Sequence, residues 1–160
     1  MSEEKDKMTL IFFSGTMDKA LAMLILATTG ASMDMEVEIF CTFWGLNFLK
    51  KGKKYRRKGF LQKMMEFMMP SKKTALPLTM MNMGGMGPAM MKKLMKKTKT
   101  PSVEELFEMA LSLGVKFYAC STSCGVMGVK EDSMIPEVED TVGAAWYIKQ
   151  AKKSDINLFI

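Results

Sequence analysis

The sequence predicts one α/β domain built on parallel strands, and three observations carry that reading. Met8 to Phe13 (MTLIFF) is a nearly continuous apolar run, the signature of a strand buried on both faces. A turn, an apolar helix and a second strand follow it within thirty-odd residues, the β-turn-α-β order that produces a parallel pair joined by a right-handed crossover. The chain has 160 residues, 48% of them hydrophobic and 25% charged, which suits one domain with a real core rather than a disordered chain.

Each element has a local cause. Ser14-Gly15-Thr16 is a turn, and Asp18 opens an apolar helix over about Lys19 to Ser32, ended by Gly30 and Met33-Asp34. Glu36 to Phe43 (EVEIFCTF) is the second strand, alternating at first and then fully apolar, and Trp44 to Lys50 leaves it as a short helical piece. Gly59 to Met69 reads as a basic, Met-rich amphipathic helix stopped by Pro70, and residues 71–88, with two prolines and Met83-Gly84-Gly85-Met86, read as loop. Ala89 to Lys97 sets Met90, Met91, Leu94 and Met95 on one face and four lysines on the other. Ser102 and Glu105 form a capping box for a helix that Gly114 ends. Val115 to Ala119 is the third strand, with Cys120 at its carboxyl end. A short helical stretch through Met127, a polar linker, a helix over about Thr141 to Lys152 and a last strand, Ile156 to Ile160, complete the chain.

Composition removes several chemistries. The chain has no histidine, which excludes Ser-His-Asp and Cys-His catalysis and imidazole-dependent zinc sites. Three cysteines is an odd number; with a mixed-charge N-terminus and no secretory signal they read as thiols, and a cytoplasmic location is expected. The longest apolar stretch, Ala20 to Thr28, falls short of the ~20 residues a membrane span needs. The net charge of +6 is unevenly spread: residues 39–103 hold 15 Lys and Arg against one acid, Glu66, and 11 of the 20 Met. Lys50 to Lys58 interleaves a single aromatic, Tyr55, so a solvated face or a docking patch is expected there and no nucleic acid. The Met-rich helices have three competing roles: lying peripherally on a membrane, covering a partner, or packing against this fold or a sister subunit, of which packing is expected.

In an open parallel sheet, ligands bind beyond the carboxyl ends of the strands. Three stretches reach that edge, Ser14 to Asp18, Cys41 to Trp44 and Cys120 to Gly128, and thiols sit on two of them. The candidate catalytic residues are Cys120 and Cys124; the candidate binding residues are Ser14, Gly15, Asp18, Cys41, Thr42 and Met127. Cys120 ends a strand and precedes Ser121-Thr122-Ser123, whose N–H groups at a helix start would stabilise a thiolate able to hold sulfane sulfur as a persulfide. Its competing role is that of a small buried apolar residue. Cys124, four residues on, could resolve a persulfide, form a disulfide with Cys120, or line a wall. Cys41 reads mainly as core. Asp18 could orient a ligand, with helix N-capping as its alternative. Three thiolates could hold a soft metal, though no fourth ligand is evident, and no cofactor is expected.

Taken together, Phe13 to Ala20, Ile39 to Leu46, Met81 to Gly87, Gly114-Val115 through Cys120, Val126-Met127-Gly128 and Asn157 to Ile160 resemble the DsrE/DsrF-like family, in its larger Met-rich branch that also carries the label peroxiredoxin-like. The resemblance runs nearly end to end. It implies a three-layer α/β/α domain with a mainly parallel central sheet over residues 1–160, with a basic, Met-rich elaboration at about 45–100, usually assembled as a homo-oligomer. It also implies a sulfur carrier or sulfurtransferase role, with persulfide sulfur held on a cysteine and exchanged with small TusA-like carrier proteins. Cys120 matches the cysteine typical of the branch. Cys124 stands where an apolar residue is expected and Gly125 where Asp is. Some members of the wider superfamily lack the sulfur-binding cysteine, so the alternatives are a non-enzymatic ligand-binding or interaction module of the same fold, or a soft-metal or thiol redox protein.

Overall fold

The computed structural model describes residues 5–52, 60, 64, 68–70 and 72–160. Its centre is a five-stranded sheet in the order β4-β3-β2-β1-β5, every pairing parallel. The strands are β1 (Lys7–Phe12), β2 (Glu36–Cys41), β3 (Lys116–Cys120), β4 (Val138–Val142) and β5 (Ile156–Phe159). The described helices are α1 (Met17–Ser32), α2 (Met86–Lys97), α3 (Val103–Ser112), α4 (Ser121–Met127) and α5 (Ala144–Ala151). A 3-10 segment, Phe43–Leu49, follows β2.

Strand alternation decides which layer each residue joins. Met8, Leu10 and Phe12 of β1, Val37, Ile39 and Cys41 of β2, and Phe117 and Ala119 of β3 point to one face, where α1 and α3 close the main core. Phe48 sits among them, with its ring 5.8 Å from Phe12, 5.5 Å from Phe107 and 6.0 Å from Phe117. The intervening residues point to the opposite face, where α5 lays Tyr147 against Phe40, Cys120 and Val142. At the amino end of that face the packing turns ionic. Lys7 Nζ lies 3.0 Å from Glu38 Oε1 and 3.7 Å from Glu36 Oε2, and Lys116 Nζ lies 2.9 Å from Glu36 Oε1.

Two glycines hold the carboxyl edge together. A Cβ on Gly45 would stand 1.9 Å from the Phe12 carbonyl oxygen, and one on Gly15 would stand 2.1 Å from that of Trp44. The turn after β1 and the turn after β2 therefore touch backbone to backbone, which only residues without a side chain allow.

The three-layer α/β arrangement agrees with the sequence expectation, and several boundaries do not. The second strand ends at Cys41, not Phe43, because Phe43 takes a positive φ of 45° and starts the 3-10 segment. The stretch read as a polar linker contains β4, whose Glu139 and Asp140 are solvent-exposed. A sheet-edge strand needs no apolar alternation and is protected by charge, so it carries no strand signal. Thr141 and Val142 belong to that strand, and the last helix starts at Ala144. α2 begins at Met86, three residues early, after Gly84 and Gly85 turn the chain at φ 64° and 100°. Most of its apolar face is not packed on the body of this fold: Gly87 and Met95 are buried, while Met86, Met90, Met91 and Leu94 are exposed. The expected helix over Gly59 to Met69 and the basic run Lys50 to Lys58 lie mostly outside the described residues. Among the described residues no helix is long and apolar enough to cross a membrane.

Candidate functional site

The site is assembled where β2 and β3 end. Cys120 is both the last residue of β3 and the N-cap of α4. Alternation turns its side chain to the α5 face, where it packs with Phe40, Val142 and Tyr147 and is 5% exposed. Burial alone would push its thiol pKa up. The Ser123 hydroxyl and N–H, the Thr42 hydroxyl and the Thr122 N–H outweigh that burial, and the net effect holds the thiol below its ordinary value. Thr42 Oγ1 and Ser123 Oγ are 2.6 Å apart, so the turn after β2 and the first turn of α4 meet beside the sulfur through paired hydroxyls.

The other two thiols have the opposite electrostatics. Cys124 joins the main core at 7% exposure, and burial, reinforced by Cys120 and Glu131, pushes its pKa to about 11. Cys41 is fully buried in the same core, and burial together with Cys124 pushes its thiol far up. All three cysteines are free. Among the described residues no group of three or more Cys, Asp or Glu is gathered to hold a metal ion. Cys120 is thus the thiol most readily ionised near neutral pH.

The remaining expected residues separate into distinct places. Thr42 stands beside Cys120. Met127 is buried in the main core at the end of α4. Ser14 and Gly15 line a cleft with Thr16, Trp44 and Asn47 that neither Cys120 nor Cys124 lines. Thr16, not Asp18, is the N-cap of α1. Asp18 accepts a hydrogen bond from the Thr79 N–H at 3.1 Å. Burial raises its pKa, but the bonds from Thr79 and Thr16 outweigh this and leave it below the usual value. Its carboxylate therefore braces the segment after Pro77. One residue outside the expected set matters, Ser123. Ser123 belongs to the hydroxyl run after Cys120.

The sequence profile of the DsrE/DsrF/DrsH-like family matches residues 4–159. The chain belongs to the DsrE/DsrF/DrsH-like family. Its relatives include a Bacillus subtilis (strain 168) protein described as uncharacterized protein YrkE, 41% identical over 161 residues and covering 100% of both chains. A second relative in the family is the sulfur carrier protein DsrE2 of Allochromatium vinosum, 35% identical over 159 residues, covering 98% of this chain and 99% of that one. Among solved structures, the ychN protein of E. coli superposes with a TM-score of 0.58 at 11% identity, covering 97% of this chain and 99% of that one, which supports the shared fold.

Proposed function

We propose that the protein is a sulfur carrier in a sulfur relay, with Cys120 holding sulfane sulfur as a persulfide. The observation that carries this reading is the electrostatic contrast between thiols: hydrogen bonds from Ser123, Thr42 and Thr122 favour ionised Cys120, while burial keeps Cys41 and Cys124 protonated. The 35% identity to a protein described as a sulfur carrier supports the same reading.

The transfer balances without any redox partner. The Cys120 thiolate attacks the sulfane sulfur of a donor persulfide or of thiosulfate. One S–S bond forms, the donor's S–S bond breaks, and the donor leaves as a thiolate or as sulfite. Discharge reverses the roles: an acceptor thiolate attacks the outer sulfur, and Cys120 departs as a thiolate that the same hydrogen bonds stabilise. A TusA-like carrier suits the acceptor role, and a homo-oligomer in the cytoplasm suits the family. Cys124, one helical turn on, is the residue to which a resolving role would fall, but its raised pKa makes it a poor nucleophile near neutral pH.

A second reading has its own support. At 5% exposure beside Phe40 and Tyr147, Cys120 also suits inert packing in a binding or interaction module. One experiment separates the two. Intact-mass analysis follows the reduced protein after incubation with polysulfide or thiosulfate, alongside Cys120→Ser. Gain of sulfur mass that vanishes in the variant supports the carrier; no gain, or an unchanged gain in the variant, overturns it.

A further inference from the structure

A groove of about 310 Å³ runs beside α2, and none of the three cysteines lines it. One wall is the α2 stripe of Met90, Met91 and Leu94; the other is the segment Leu78 to Met81. The fold holds both walls in place. A Cβ on Gly87 would stand 1.8 Å from the Met81 carbonyl oxygen, so that segment lies directly against the helix. Asp18, the one acid lining the groove, accepts from the Thr79 N–H at 3.1 Å and ties the same segment to α1.

The apolar lining is open to water. Met80, Met81, Met90 and Leu94 are each at least half exposed, and the exposed Met83 and Met86 flank them in the chain. Single exposed apolar residues need no explanation, but a contiguous set marks an interaction site. Methionine is flexible and polarisable, which suits a surface that receives another protein's side chains.

Charge identifies the kind of partner. Lys93 and Lys97 follow Met90 and Leu94 by three positions, so on the helix each stands next to the exposed stripe. Among the described residues neither makes a hydrogen bond or an ion pair. They are like charges four residues apart, a pairing that weakens a helix and that an anion beside both would relieve. The sequence has no Asp or Glu between Glu66 and Glu104, so this stretch supplies no counter-charge of its own.

From these features we infer that the groove docks an amphipathic helix of a partner protein, apolar side down on Met80, Met90 and Leu94, with acidic residues meeting Lys93 and Lys97. A groove takes up the side chains of a helix, the helix-in-groove mode of recognition, whereas a bilayer surface meets an apolar face that projects. The 12 residues of α2 span roughly 18 Å, room for about three turns of the partner. The inference stands apart from the carrier reading, since Cys120 does not line the groove.

The test uses the full chain and a fluorescein-labelled synthetic amphipathic helix of leucine and glutamate, followed by anisotropy. A leucine–lysine helix of the same length is the charge control. The protein variants are Met90→Gln/Leu94→Gln and Lys93→Gln/Lys97→Gln, each checked for native circular dichroism. The expected result is saturable binding of the acidic helix with a Kd below roughly 100 µM, weakened about tenfold in each variant, and no binding of the basic helix. No saturable binding of the acidic helix overturns the inference. Equal binding of both helices also overturns it, because the apolar walls alone would then be responsible, and so does binding that neither variant weakens. Two further measurements assign the face to another occupant if the acidic helix fails. Binding to vesicles of phosphatidylglycerol and phosphatidylcholine that the variants abolish would give it to a bilayer. Self-association in sedimentation that the variants abolish would give it to a second copy of the chain.

Discussion

The chemistry of Cys120 depends on single hydroxyls. Ser123 and Thr42 are 2.6 Å apart and both favour its thiolate, so removing either should move the thiol back toward its ordinary pKa. Alkylation rate against pH, read by peptide mass mapping, should give Cys120 a midpoint well below that of Cys124, whose pKa lies at about 11. In Ser123→Ala or Thr42→Val the Cys120 midpoint should rise while that of Cys124 stays in place. Because Cys120 is 5% exposed, compact reagents should label it faster than bulky maleimides. At this scale the sequence was informative about the sulfur and its neighbours, since a strand end followed by Ser-Thr-Ser is a local pattern. It was silent about how deeply Cys120 is buried, because α5, which covers it, lies far along the chain.

Among the elements, the turns at the carboxyl edge should be the least tolerant of change. Gly45→Ala forces a methyl group against the Phe12 carbonyl at 1.9 Å, so a loss on the order of 3 kcal/mol is expected in denaturant melts. The start of α3 offers a milder comparison. Ser102 accepts from the Glu105 N–H at 3.2 Å, and the Glu105 carboxylate accepts from the Ser102 N–H at 2.7 Å. Ser102→Ala should cost about 1 kcal/mol in the same measurement, the usual cost of a lost N-cap. That capping box was readable because Ser-x-x-Glu places both partners within one turn. β4 was not, because an edge strand buries little and displays its acids, leaving no periodicity to detect. α2 gave a third outcome: its two-faced pattern was plain, yet the pattern does not reveal whether the apolar face packs on its own domain, and here most of it faces outward.

For the molecule as a whole, the ionic layer under α5 ties stability to pH. The hydrogen bond from Lys116, opposed by burial and reinforced by Lys7, holds the Glu36 carboxyl below its ordinary value. A carboxylate depressed in the folded state contributes stability above its unfolded pKa and loses it as pH falls through the folded value. Melting temperature should therefore decline on acidification through the carboxylate range, and Glu36→Gln should flatten that decline. The effect should be modest, because the side chain is 40% exposed and solvent screens it. The parallel sheet itself was legible early, since two buried strands around an apolar helix leave few other topologies.

An isolated antiparallel bridge joins Lys51 to Lys72, and a second joins Lys50 to Met134. The described chain on either side of residues 53–71 is thus brought together at one clasped point. Chain that departs and returns at the same place is modular: its length can drift with little effect on the sheet, since each doubling of a loop costs only about 0.6 kcal/mol in closure entropy. Replacing residues 53–67 with a short Gly-Ser turn, which keeps Met69 on the core and the Pro70 carbonyl that accepts from Lys50, should leave the far-ultraviolet circular dichroism of the sheet and helices largely intact. The same clasp makes this position a natural place to graft foreign sequence while the turns around Cys120 keep their arrangement.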